Sequence, residues 1–102
     1  MAQPIFNEFA IGSGATVLLS ADQTNEETGR NQDINEWTIY CYDGCTVAIT
    51  PIVKGHNGTS YSDLPVTTIT NDVVVLKLPR IYDFSLTETS TSAGRVQVVG
   101  NY

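Results

Sequence analysis

An all-β fold is what this sequence predicts: an antiparallel β-sandwich or barrel, jelly-roll-like, of about seven to eight short strands. Three observations carry that expectation. Apolar and polar residues alternate in several short stretches, as in Trp37-Thr38-Ile39-Tyr40-Cys41 and Tyr82-Asp83-Phe84-Ser85-Leu86, and period two marks a strand with one buried face. Glycine, proline, asparagine and aspartate punctuate the chain roughly every 8 to 12 residues, the turn spacing of sandwiches and barrels. No apolar pattern of helical period outlasts a single turn. The 102 residues, 41% of them hydrophobic, suit one domain, 1–102, with one modest core.

Residues 1–12 admit two readings. Pro4 cannot donate to a ladder and suits an edge or a strand start. Ile5, Asn7, Phe9 and Ile11 share one alternating row, and Phe6, Glu8 and Ala10 share the other. The segment is either a first strand or an extended N-terminal arm on another subunit, with Ile5, Phe6 and Phe9 as its contact residues. An arm predicts that deleting residues 2–11 weakens assembly and leaves the β fold intact. Gly12-Ser13-Gly14 ends the segment, and Ala15 to Ser20 reads as the next strand. Ala21 to Asp33 is polar and long for a loop in so small a protein. Its carboxylates Asp22, Glu26, Glu27 and Asp33 lack the spacing of a calcium loop, and a solvated loop is the plainer reading.

Glu36 to Thr50 reads as a β-hairpin and carries the only tryptophan and both cysteines. A two-residue Asp43-Gly44 turn mates Trp37, Ile39 and Cys41 with Thr46, Ala48 and Thr50. A three-residue Tyr42-Asp43-Gly44 loop instead sets Cys41 opposite Cys45, Ile39 opposite Val47 and Trp37 opposite Ile49. The second register gathers the apolar groups on one face, so burial favours it. It also brings Cys41 and Cys45 within reach of a cross-strand disulfide. Two free thiols acting as small apolar core groups are the preferred expectation. The spacing matches neither a redox nor a zinc motif.

Beyond the hairpin, Pro51 suggests an edge or a bend. Lys54 to Gly58 is a turn by composition, and Val66 to Thr70 has strand propensity. Asn71-Asp72 turns the chain. In Val73 to Leu78, the row Val74, Leu76 and Leu78 faces inward and Lys77 faces solvent. Ile81 to Thr87 alternates, Thr89 to Gly94 is a turn, and Arg95 to Val99 closes the chain with Val96 and Val98 on one face.

The charge narrows the function. Five lysines and arginines stand against eleven acids, a net charge of −6, with no basic cluster. Nucleic acid and anionic membrane surfaces are therefore disfavoured partners. No apolar run approaches the ~20 residues of a membrane span, and the N-terminus lacks a signal-peptide pattern, so the protein is expected in a cytoplasm. Asn57-Gly58-Thr59 matches a glycosylation acceptor, which carries little weight without a secretion signal.

The catalytic search is nearly empty. His56 is the one histidine, an exposed turn residue with no fitting nucleophile and orienting group. It cannot assemble a metal site alone. No carboxylate pair stands out, and no phosphate-cradling glycine loop opens a helix. The expectation is a non-enzyme without metal or cofactor. Tyr40, Tyr42 and Tyr61 are the aromatic candidates for contact. Core or subunit packing ranks first, a partner protein second and sugar stacking third.

The closing segment, Ile81-Tyr82-Asp83-Phe84-Ser85-Leu86-Thr87 and Thr91-Ser92-Ala93-Gly94-Arg95-Val96-Gln97-Val98-Val99-Gly100, resembles the last hairpin of small structural proteins of tailed bacteriophages. The likeness covers the last fifth of the chain as residues and the rest as texture. It implies a virion component made in the host cytoplasm: a capsid decoration (cement) protein, or a small tail or fibre component. The implied partners are the major capsid protein or another virion protein, and further copies of this chain, with a trimer as the expected oligomer. The alternative on the same fold is a carbohydrate- or receptor-binding module. No binding residue carries over.

Overall fold

The computed structural model describes residues 5–23, 31–55 and 58–101. The strands are β1 (Ile5–Ile11), β2 (Thr16–Leu18), β3 (Glu36–Tyr42), β4 (Thr46–Lys54), β5 (Ser60–Tyr61), β6 (Thr67–Thr70), β7 (Val73–Leu76), β8 (Asp83–Glu88) and β9 (Gly94–Asn101). A single helical turn, α1 (Leu19–Asp22), and a 3-10 turn (Asn31–Asp33) lie between β2 and β3. Strand order in the first sheet is β1-β9-β3-β7. In the second it is β2-β8-β4-β5, with β6 on the same side of β4 as β5. All pairings are antiparallel. The fold is an all-β sandwich and not a closed barrel.

The connections β1–β2, β3–β4, β6–β7 and β8–β9 all pass from one sheet to the other. The order 1-9-3-7 over 2-8-4-6 is that of a jelly roll. This corrects the hairpin expected over Glu36 to Thr50. β3 pairs with β9 and β7, and β4 pairs with β8, β6 and β5. Asp43 and Gly44, both with positive φ (68° and 85°), turn the chain between the sheets. The closing hairpin is corrected in the same way, because β8 and β9 lie in different sheets. The inward rows nevertheless stand: Trp37, Ile39 and Cys41 are buried, and so are Cys45, Val47 and Ile49. Two apolar rows can share a core side by side in one sheet or face to face across a sandwich, and period two does not distinguish the cases.

β1 is a strand of the first sheet, paired with β9 over its whole length. Ile5, Phe9 and Ile11 are buried in the core of the same chain, so the described part of the segment is not a free arm. Deleting it would strip three core side chains and uncover the edge of β9. The strand expected over Ala15 to Ser20 is shorter, since the chain enters α1 at Leu19. Pro51 sits inside β4, but between the stretches paired with β6 (Thr46 to Ile49) and β5 (Val53 and Lys54). On that side no described strand pairs with Pro51, so its missing N–H removes no ladder bond among the described residues.

The core lies between the sheets, centred on Trp37 and Phe84, whose rings meet edge to face at 5.0 Å. Fully burying a large apolar side chain contributes about 2–3 kcal/mol. Gly100 gives the indole room. A Cβ there would stand 3.0 Å from the Trp37 ring.

The two ends of the sandwich differ. One end holds the four short crossings, laced together by side chains. Glu88, 1% exposed, accepts hydrogen bonds from the backbone N–H of Gly14 (3.3 Å), Thr46 (3.0 Å) and Ser90 (3.0 Å), and from the Ser90 hydroxyl (2.6 Å). One carboxylate thus ties three of the four crossings. The fourth joins through the Asn71 carboxamide oxygen, which accepts from Gly44 N–H at 3.2 Å. The other end carries the long connections. There Asp83 accepts from the Ser20 N–H and hydroxyl (3.0 and 2.6 Å). Buried Asn31 exchanges two hydrogen bonds with Gln23 and donates to the Tyr82 carbonyl.

Candidate functional site

Strand register sets the outer face of the first sheet. Phe6 pairs with Val99, Val99 with Thr38, and Thr38 with Val75, which makes one row across all four strands. The next row is Glu8, Gln97, Tyr40 and Val73. Within these rows Phe6 (53%), Val75 (52%), Val73 (42%) and Tyr40 (40%) are strongly exposed. They form an apolar band that ends on β7, an edge strand whose outer ladder side has no partner among the described residues. Exposed valines on an open edge invite contact with another chain.

A polar cluster bounds one margin of this band. The Tyr42 hydroxyl donates to Glu8 Oε1 at 2.6 Å. The Arg95 guanidinium reaches the same oxygen through Nε at 3.2 Å and Nη2 at 3.1 Å. The Tyr42 hydrogen bond, then Arg95, holds the Glu8 carboxyl below its ordinary range, and the same bond to Glu8 pushes the Tyr42 phenol up. All three groups are partly exposed, so the pairing orients the side chains more than it stabilises the fold. Opposite charges cancel within the Glu8–Arg95 pair. Beside the cluster, Tyr40, Tyr42, Asn71, Asp72 and Val73 line a shallow groove of about 300 Å³, with Cys41 beneath it.

The contact residues expected from sequence are thus divided. Phe6 and Tyr40 lie exposed on the outer face, and Tyr42 joins them as a half-buried member of the polar cluster. Ile5 and Phe9 are withdrawn into the core, because they occupy the inward row of β1. Tyr61 is exposed on β5 in the other sheet, apart from this face. Val73 and Val75 escaped the sequence reading. Their signal was the unbroken run Val73-Val74-Val75-Leu76: four consecutive apolar residues in a strand must turn one row outward unless both faces are covered.

Cys41 and Cys45 are both free and buried. The Cys41 thiol donates to the Ile69 carbonyl at 3.4 Å, and the Cys45 thiol to the Tyr42 carbonyl at 3.5 Å. Burial, then the neighbouring Cys41, pushes the Cys45 thiol up, away from the thiolate that reactive chemistry needs. Among the described residues no group of three or more histidine, cysteine or acidic side chains is placed to hold a metal ion. No helix of the described residues is long and apolar enough to cross a membrane. His56, Asn57, Glu26 and Glu27 lie outside the described residues.

Comparison with known proteins returns no matching family model, no matching curated protein and no matching solved structure.

Proposed function

We propose that this protein is a virion structural protein, a capsid decoration (cement) subunit that acts through protein–protein contacts. The single observation that carries the contact role is the exposed apolar band of Phe6, Val75, Val73 and Tyr40 on the outer sheet face, ending at a β7 edge that is unpaired among the described residues. The viral setting rests on the jelly-roll order, a fold recurrent in capsid and lectin domains, which is an argument by fold analogy, and on the residue pattern of the closing segment, whose two strands lie in different sheets and do not form the hairpin of that resemblance.

Size favours a repeated, weak contact over a tight pair. Four strands about 4.8 Å apart and two rows about 7 Å apart give a band of order 300 Å², well below the roughly 800 Å² per partner of a stable interface. Contacts of that size gain strength by repetition across a lattice. Pairing along the β7 edge would add main-chain hydrogen bonds.

Light scattering on the purified protein tests the reading. The expected result is concentration-dependent association, with a trimer as the closed species, that disappears in Val75→Lys while the melting temperature holds within a few degrees. A protein that stays monomeric at millimolar concentration, and whose Val75→Lys variant behaves identically, overturns self-association through this face.

The second reading is a carbohydrate- or receptor-binding module, favoured by the groove against Tyr40, Tyr42 and Val73. Its volume of about 300 Å³ would accept about one sugar ring stacked on a tyrosine. A glycan array that shows saturable binding lost in Tyr40→Ala would replace the first reading with this one.

A further inference from the structure

At the long-connection end, three segments that are remote in sequence meet around a cleft of about 530 Å³ lined by Gln32, Lys54, Gly55 and Arg80. Gln32 belongs to the turn before β3, Lys54 ends β4, and Arg80 precedes β8. The volume lies in the range of small-molecule sites. Two features set the cleft apart from a chance surface hollow.

The first is charge. The chain carries eleven acids and five lysines and arginines, so cations should find carboxylates easily. Yet the single ion pair among the described residues is Arg95 with Glu8, at the other end of the sandwich. Lys54 and Arg80 face the same cleft, and among the described residues neither has a carboxylate partner. Lys54 is positioned instead by the Tyr82 ring, with Nζ 4.5 Å from its centroid, a cation–π contact that fixes the ammonium and leaves its charge unneutralised. The second is backbone. Arg80 has φ of 60° and directly follows Pro79. Proline followed by a left-handed residue is the pattern of a type II turn, whose second corner normally takes glycine or asparagine. Arginine stands at a position where its backbone is disfavoured, and strained backbone of this kind clusters at binding sites.

We propose that this cleft binds a small oxyanion-bearing ligand. Lys54 and Arg80 pair with its carboxylate or phosphate group, and the Gln32 carboxamide supplies a neutral donor. Arginine presents a planar fork that matches either group with two parallel bonds, and lysine adds a point charge. The cleft lies at the opposite end from the Glu8–Tyr42–Arg95 cluster, so it is independent of the sheet face and of the role assigned to it.

Amide-detected NMR titration tests the proposal, with inorganic phosphate and D-glucuronate as probes and glucose as the uncharged control. The expected result is saturable, salt-sensitive shifts at residues 32, 54, 55 and 80 with at least one anion, and none with glucose. Phosphate alone would define a phosphate site, glucuronate alone a carboxylate site, and either supports the proposal. Arg80→Gly removes the guanidinium and relaxes the strained turn. It should fold with an unchanged or slightly higher melting temperature and weaken binding about tenfold or more, as should Lys54→Gln. Absent saturation with both anions overturns the proposal. So do shifts that persist at equal affinity in folded Arg80→Gly and Lys54→Gln.

Discussion

Gly94→Ala is expected to lower the melting temperature by roughly 15 °C, an effect of about 3 kcal/mol in a protein of this size. β9 begins at Gly94, where it crosses the turn between β3 and β4 at close range. An added Cβ would stand 2.6 Å from Cys45 Sγ, 2.6 Å from the Tyr42 carbonyl oxygen and 2.7 Å from Cys45 Cβ. One of these is a backbone atom, and Cys45 is fully buried, so no rotamer change relieves the clash. Gly100→Ala is the control. The three atoms nearest its Cβ would be side-chain atoms of Trp37 and Ile34, at 3.0 to 3.2 Å, which need to shift by only a few tenths of an ångström. That substitution should cost about 1 kcal/mol. Thermal unfolding followed by circular dichroism ranks the two. If Gly94→Ala melts within 3 °C of the parent, β9 does not approach the β3–β4 turn as described.

Glu88→Gln is expected to lower the melting temperature at neutral pH by about 10 °C, since a buried, multiply bonded charged acceptor is replaced by a group with different hydrogen-bonding needs. The same variant carries a pH signature. The Ser90 hydroxyl is the main influence on the Glu88 carboxyl. With the backbone amides of Ser90, Thr46 and Gly14 it outweighs burial and lowers the pKa from 4.5 to about 2. A carboxyl whose folded pKa lies below its unfolded value stabilises the fold fully above the unfolded value, and loses that contribution as pH falls towards the folded one. The parent should therefore lose stability between about pH 4.5 and about pH 2. Glu88→Gln should show a shallower decline over the same window. Melting curves from pH 2 to pH 7 decide it: parallel profiles for parent and variant would show that Glu88 does not lace the crossings together.

Glu88 also shows where sequence reading stops. In Asp83-Phe84-Ser85-Leu86-Thr87-Glu88 it falls on the inward row with Phe84 and Leu86, yet an acid at a strand end reads as solvent-facing. Only the meeting of three turns from distant parts of the chain supplies the donors that let it be buried. The cleft at Lys54 and Arg80 was equally illegible, because its lining residues run from Gln32 to Arg80 and the two cations each read alone as ordinary surface residues. Phe6 and Tyr40 stand exposed on the outer face, since both occupy outward rows. Ile5 and Phe9 were misjudged because an arm and an edge strand carry the same alternating pattern, and only pairing with β9 separates them.

By itself, the sequence determined the all-β class and nearly every inward-facing row, because burial of alternate side chains is a local demand that each strand states in its own residues. The tertiary structure decided which strands are neighbours. Turns at Asp43-Gly44, Asn71-Asp72 and Thr89 to Ala93 are compatible with a hairpin or a crossing. The choice between them was made by the shared core around Trp37 and Phe84, which two facing sheets enclose and a run of local hairpins would leave open to water.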